Sequence, residues 1–186
     1  MAPNESQIIE QVKQGNTEAF RIIVDRYRDA VYGLTLSMVA NREEAEELAQ
    51  DAFFKIFKSI KGFRSESKFS TWLYRITYNT CISHLRKSKH KLVEVQEYHG
   101  VQDFNSGYNN LIIEDNNNTI KTILAKLKPD DRVIIQLFYL EENSIKEIAE
   151  ITGFSNANVK VKLHRSKQKL KSMMKENGFN LEQVFV

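Results

Sequence analysis

The sequence of 186 residues predicts an all-α chain in which two small helical domains are joined by a flexible acidic linker. Three observations carry that prediction. Apolar residues recur at three- and four-residue steps through most of the chain, and no strand-like alternation appears with any strength. A capped helix, a glycine turn and a second helix follow one another between Ser144 and Lys171. Between the two periodic parts the periodicity disappears: V-E-V-Q-E-Y-H-G-V-Q-D-F-N-S-G-Y-N-N-L-I-I-E-D-N-N-N is rich in Asn and acid. Residues 92–120 hold five acids and no Lys or Arg. A long structureless stretch suits a connection between domains better than the inside of one. The expected division is therefore a first domain over 1–91, a linker over 92–118 and a second domain over 119–186.

Each element has its own signal. Ile8, Ile9 and Val12, followed by Gly15, mark a short first helix. Thr17 with Glu18 opens a longer one, whose buried stripe is Phe20, Ile23, Val24, Tyr27, Val31, Leu34 and Met38. Asn41 with Glu44 resembles a capping box, and Ala45, Leu48, Ala49, Ala52, Phe53, Ile56, Phe57 and Ile60 carry a third helix to a stop at Gly62. That helix is acidic in its first half, where the helix dipole favours carboxylates, and basic in its second, at Lys55, Lys58 and Lys61. A polar loop, G-F-R-S-E-S-K-F-S, precedes a fourth helix from about Thr71 to Lys89. Helix resumes with Ile120, Ile123, Leu124 and Leu127. Pro129, Asp130 and Asp131 then start the helix over Arg132 to Glu141.

Ser144 and Glu147 form a capping box, Gly153 suits the left-handed end of that helix, and Ser155 caps the next one. In the last helix Val159, Leu163, Ser166 and Leu170 share a narrow core stripe. Ala157, Lys160, Val161, His164 and Arg165 lie on the opposite side, with Lys162, Lys167, Lys169 and Lys171 around them. Short residues beside long cations suit a major groove, where Ala and Val permit close approach and Lys and Arg reach bases or phosphates. A solvated basic helix is the plain alternative for such charges, but the helix-turn-helix build favours DNA.

Charge and composition bound the remainder. The net charge of +3 conceals basic ends and an acidic middle: residues 1–91 carry 15 Lys or Arg against 11 Asp or Glu, and 121–186 carry 12 against 8. Such basic blocks suit a polyanion. The single cysteine excludes an internal disulfide framework and a thiolate zinc site. No cofactor or metal is expected. No apolar run is long enough to span a bilayer, and M-A-P-N-E-S-Q has no signal-peptide character, so a cytoplasmic protein is expected. In the fourth helix, Trp72, Tyr74 and Tyr78 interleave with Thr77, Asn79, Thr80 and Ser83. A surface for single-stranded nucleic acid needs this mixture, although aromatics are as readily core.

Several stretches, F-R-I-I-V-D-R-Y-R-D-A-V-Y, A-E-E-L-A-Q-D-A-F-F-K-I-F, F-S-T-W-L-Y-R-I-T-Y-N-T and S-I-K-E-I-A-E-I-T-G-F-S, resemble a bacterial RNA polymerase sigma factor. Their order and spacing are similar to the compact extracytoplasmic-function group of the sigma-70 family, over about Thr17 to Lys171. The resemblance implies a region 2 domain whose third helix docks on the polymerase clamp coiled coil through Glu46, Glu47, Gln50, Asp51 and Phe53. Opening and reading of the -10 element fall to Lys55, Ser59, Phe63, Arg64, Trp72, Asn79 and Ser83, with Asn79 able to make bidentate bonds to a base edge. Region 4 is implied to read the -35 element through Lys160, Val161, His164, Arg165 and Lys167. Lys160, in place of a bidentate arginine, lowers geometric selectivity. Glu94, Glu97, Asp103, Glu114 and Asp115 of the linker are implied to run through a path built for nucleic acid. The implied partners are core RNA polymerase, at its clamp coiled coil and flap, promoter DNA and an anti-sigma factor; no small-molecule substrate is implied.

Two other classes compete. A free-standing helix-turn-helix regulator accounts for Ser144 to Lys171 but leaves the aromatic fourth helix and the acidic linker without purpose. An enzyme would have to use Cys81 and His84, three residues apart, and no glycine-rich loop or paired-carboxylate motif accompanies them. Cys81 reads better as a small buried hydrophobe, and His90 and His99 lack metal-ligand spacing.

Overall fold

The computed structural model describes residues 4–96 and 123–176, the side chains of 89–96 excepted, and no strand occurs among them. Seven α-helices are delimited: α1 (Glu5–Lys13), α2 (Thr17–Val39), α3 (Arg42–Ser59), α4 (Phe69–Gln96), α5 (Pro129–Tyr139), α6 (Ile145–Thr152) and α7 (Asn156–Glu176). A 3-10 turn, Ile60–Gly62, closes α3. The first module is α1 to α4 and the second α5 to α7. The linker carboxylates Glu97, Asp103, Glu114 and Asp115, with His99 and Ile120, lie outside the described residues, as do the side chains of Glu94 and His90.

Asparagine starts three of the helices. Asn4, Asn16 and Asn41 each accept a bond from the backbone amide three residues on, at 2.9, 3.1 and 3.0 Å, and so satisfy donors that a helix start leaves open. Asn16, one residue before the predicted opening, is the true cap of α2. The fourth helix runs seven residues past its predicted end at Lys89, because neither glycine nor proline interrupts it before Gly100. The backbone of 92–96 is thus helical and not part of a loop.

α2 is the central strut, packed against α1, α3, α4 and α5. The two modules pack on one another in this structure. α6 packs along α4, α5 packs on α2, and one continuous apolar cluster includes Leu34, Leu73, Tyr74 and Tyr78 of the first module with Val133, Leu137, Ile148 and Ile151 of the second. A smaller cluster, Ile123, Leu127, Ile135, Leu170, Met173 and Met174, belongs to the second module alone.

Two long polar side chains of α5 reach α2 across the seam. Arg132, 7% exposed, donates to the carbonyls of Ser37 on α2 at 2.6 Å and of Leu127 at 2.8 Å. The Gln136 amide lies 2.9 Å from the Ser37 hydroxyl. It reaches α2 at Gly33, where an added Cβ would meet the Gln136 amide nitrogen at 2.8 Å. Glycine in a helix interior costs about 1 kcal/mol against alanine; here it makes room for the second module.

Candidate nucleic-acid interface

The helix-turn-helix is built as its sequence requires. Ser144 and Glu147 cap each other across the first turn of α6, Gly153 ends that helix at φ 76°, and the Ser155 hydroxyl accepts from the Asn158 amide at 3.2 Å. Val159, Ser166 and Leu170 of α7 are buried and Leu163 is half-buried. Ala157, Lys160, Val161, His164 and Arg165 are all exposed, Val161 by 46%. The flanking cations divide. Lys162 pairs with Asp131 at 3.2 Å and lies over the Phe154 ring, Lys169 donates to the Lys126 carbonyl, and Lys167 is half-buried. The outward face is therefore short, apolar and cationic at its centre.

On α4 the predicted residues fall into a wider register. Lys68, just before the helix, and Trp72, Arg75, Asn79, Ser83 and Arg86 on it recur at three- and four-residue steps and so share one stripe. All are exposed except Trp72, which is half-buried. The stripe holds three cations, one amide, one hydroxyl and one aromatic ring. Lys68, Arg75 and Arg86 add to the residues expected from the sequence, although the same 3.6-residue periodicity that locates Asn79 and Ser83 points to them. Ser83 donates to the Asn79 carbonyl at 2.8 Å, leaving the Asn79 amide side chain exposed.

Lys55, Ser59 and Arg64 are exposed, with the Lys55 ammonium 3.2 Å from the Thr80 hydroxyl. Phe63 is not displayed. It is 6% exposed and packs against Phe69 and Trp72 with ring centroids 5.3 Å away in each case. Its large apolar ring closes the base of the loop. Phe63 also borders a cleft of about 280 Å³ between α1 and the loop, lined too by Glu5, Ser67, Lys68 and Ser70.

The third predicted face is on α3. Glu46, Glu47, Gln50 and Asp51 are exposed, but Phe53 is half-buried and edge-on to Phe20, with centroids 6.5 Å apart. Its neighbour Phe54 is 58% exposed, with the Lys58 ammonium 4.3 Å from its ring centroid. Phe54 follows Glu47, Gln50 and Asp51 at steps of seven, four and three, so it is the apolar member of that face. Helical spacing carries that signal, and Phe53 is better placed for the core.

Cys81 and His84 do not form a reactive pair. Cys81 is wholly buried, and burial pushes its thiol up to about 12, far from the thiolate that nucleophilic attack needs. The His84 ring is paired with Glu44 of α3. Among the described residues no group of His, Cys, Asp and Glu could hold a metal ion, and no helix is long and apolar enough to cross a membrane.

Comparison with known proteins adds to this geometry. Residues 23–91 match the sigma-70 region 2 family and residues 117–170 match sigma-70 region 4. The chain is 35% identical over 179 residues to the ECF RNA polymerase sigma factor SigW of Bacillus subtilis, covering 90% of this chain and 95% of that protein. It is 30% identical to the ECF RNA polymerase sigma-E factor of Haemophilus influenzae, over 89% of this chain and 92% of that one. Two solved structures share the fold at 21% identity. They are the sigma factor RpoE in complex with the anti-sigma factor NepR from Bartonella quintana (TM-score 0.69, 84% of this chain and 96% of that chain) and CnrH in complex with the cytosolic domain of CnrY (TM-score 0.65, 92% and 97%).

Proposed function

Because this chain belongs to the extracytoplasmic-function group of sigma-70 RNA polymerase sigma factors, we infer that its three exposed faces divide the work of promoter-directed initiation. The chain binds core RNA polymerase and directs transcription to promoters carrying -35 and -10 elements. The α3 face, Glu46, Glu47, Gln50 and Asp51 around the exposed Phe54, docks on the polymerase. An apolar anchor ringed by carboxylates fits a helix-on-helix contact with a basic partner.

The α4 stripe takes the -10 element. Its cations hold phosphates, Asn79 offers a donor and an acceptor to a base edge, and the Trp72 ring offers a stacking plane. The cleft beside Phe63 gives an extruded base a pocket with serine hydroxyls. The outward face of α7 enters the major groove of the -35 element, where Val161 makes close contact and Lys160, His164 and Arg165 supply donors. Protein of this kind acts with no catalysis of its own, in the cytoplasm where the polymerase works. A regulator of the anti-sigma kind, like those bound to the two solved relatives, is a further partner.

The observation that carries this reading is the single register of Trp72, Asn79 and Ser83 with three exposed cations along one helix and the residue before it, in a chain that also exposes a helix-turn-helix reading face. Run-off transcription with core enzyme and a random promoter library tests it. Selected promoters should share two elements at a fixed spacing and depend on this chain. Absence of a stable complex with core enzyme, together with unchanged start sites, overturns it.

A further inference from the structure

We propose that α1 is the base-selecting wall of the cleft beside Phe63: the Glu5 carboxylate accepts from the amino group of a nucleotide extruded from the -10 element, so that cytosine or adenine is preferred and thymine or guanine disfavoured. The inference rests on the sigma-factor reading above. It gives a task to a helix that lies before the residues matching region 2.

α1 is anchored firmly enough to act as a wall. Ile8, Ile9 and Val12 are buried, and Asn4 and Gln7 cap one another across the first turn, in which Glu5 is the first helical residue. The Glu5 carboxylate accepts from the Arg26 guanidinium at 3.1 Å and from the Tyr27 hydroxyl at 2.7 Å. Both bonds end on the same oxygen, which fixes the carboxylate and leaves its second oxygen to a ligand. The Arg26 charge also offsets that of the acid and so lowers its repulsion of a nearby DNA phosphate. At the other end of the helix, the Lys13 ammonium pairs with Glu10 at 2.8 Å and lies 5.8 Å from the Phe63 ring centroid, tying α1 to the cleft.

The loop side of the cleft has the complementary chemistry. Ser67 and Ser70 are half-buried there, and their hydroxyls have no partner among the described residues. A hydroxyl rotates to suit its partner and can donate to a ring nitrogen or a carbonyl. Ser65, also on the lining, turns the loop at φ 58°, in the left-handed region that residues other than glycine rarely enter and that recurs at functional sites. Ile9, Phe63 and Phe69 supply apolar surface. Extruded bases are read in this manner, by hydrogen bonds to the pairing edge within an apolar pocket. On that edge cytosine and adenine carry an amino donor, whereas thymine and guanine carry a carbonyl acceptor in its place. A fixed carboxylate oxygen bonds the first pair and meets the second oxygen against oxygen, leaving both acceptors without a donor.

The test uses the holoenzyme, with the full chain on core polymerase, and fork-junction DNA whose -10 non-template strand is single-stranded. Each position of that strand carries in turn cytosine, 5-methylcytosine, thymine and 2-pyrimidinone, the last being cytosine without its amino group. At one position the wild-type chain should bind cytosine and 5-methylcytosine alike, and thymine and 2-pyrimidinone about tenfold more weakly. E5Q, whose amide donates as well as accepts, should bring thymine to within about twofold of cytosine at that position and leave the ratios elsewhere unchanged. A residue that only stabilised the fold would shift the affinity for every base together. E18Q, which removes an exposed acid of α2 outside the cleft, controls for net charge. Absence of any position that needs the amino group, unchanged ratios in E5Q, or an equal change in E18Q overturns the proposal. Failure to form the holoenzyme or to bind the fork overturns the sigma-factor reading and this one with it, whereas intact binding without the base preference overturns this one alone.

Discussion

The Tyr74 hydroxyl donates to the Glu141 carboxylate at 2.5 Å, joining the fourth helix to the turn before the helix-turn-helix across 67 residues of sequence. Tyr78 makes the equivalent bond to Asp130 at 3.0 Å, and Tyr27 donates to Glu5 at 2.7 Å with its ring edge-on to Tyr74. Burial first, and then the neighbouring carboxylate, raises all three phenols above their ordinary 10.0, and burial raises the Cys81 thiol from 9.0 to about 12. Groups raised in the folded state stabilise it fully below their unfolded values and lose that contribution as pH climbs toward the folded ones. The melting temperature should hold level up to about pH 9 and fall above it, with tyrosine ionisation lagging until the chain unfolds. A melting temperature that stays level through pH 11 would contradict this burial.

The continuous core predicts how the chain unfolds. Ile148 belongs to the second module, is wholly buried, and shares a cluster with Leu73 of the first. Ile148→Ala should cost about 2–5 kcal/mol. Because the cluster spans both modules, Trp72 fluorescence and far-ultraviolet helicity should report the same shifted midpoint in urea. Two separated transitions in the wild-type chain would show that the modules fold independently.

Much of this was legible in the sequence because helices announce themselves locally. The capping pair Ser144 and Glu147, the turn at Gly153 and the stripe Val159, Ser166 and Leu170 depend on neighbours within one or two turns, and all are present. The closure of α6 on α4 was not legible. Arg132 and Gln136 read as ordinary polar residues of a helix, and only the fold brings them to Ser37 and Gly33, about a hundred positions away. The candidate site divides in the same way. The outward face of α7 follows from helical period alone, whereas choosing between Phe53 and Phe54, or finding Phe63 buried, requires knowing which side of a helix its neighbours cover.

Phe53 and Phe54 can be told apart by measurement. Phe54→Ala removes an exposed ring and should leave stability within about 0.5 kcal/mol while weakening association with core polymerase at least tenfold. Phe53→Ala removes a ring packed on Phe20 and should lower stability by about 1–3 kcal/mol first. Asp51→Arg reverses a charge on the same exposed face and should slow association in a salt-dependent way. Unchanged association for both Phe54→Ala and Asp51→Arg would remove α3 from the docking surface.

Lys160 and Arg165 are exposed on the outward face of α7, away from the shared core. Lys160→Ala with Arg165→Ala should therefore weaken recognition of the -35 element by about 1–3 kcal/mol for each side chain that had bonded to a base edge, while the affinity for core polymerase stays unchanged. Transcription from promoters with a strong upstream element should fall most. Loss of polymerase binding in the double variant would count against separate faces for the two tasks.

Asn79 is exposed at the centre of the α4 stripe, its own carbonyl accepting from Ser83 and its side-chain amide turned to solvent. Asn79→Ala removes both a donor and an acceptor without opening a cavity, so the fold should be untouched and the closed promoter complex should form with near-normal affinity. The cost should fall on strand opening, where an unstacked base needs a partner for its edge: about 1–3 kcal/mol, or roughly tenfold to a hundredfold fewer open complexes. Permanganate footprinting of unpaired thymines, set beside a filter-binding measure of total complex, separates the two steps. Equal losses in both would place Asn79 among the residues that hold duplex DNA and not among those that capture an opened strand.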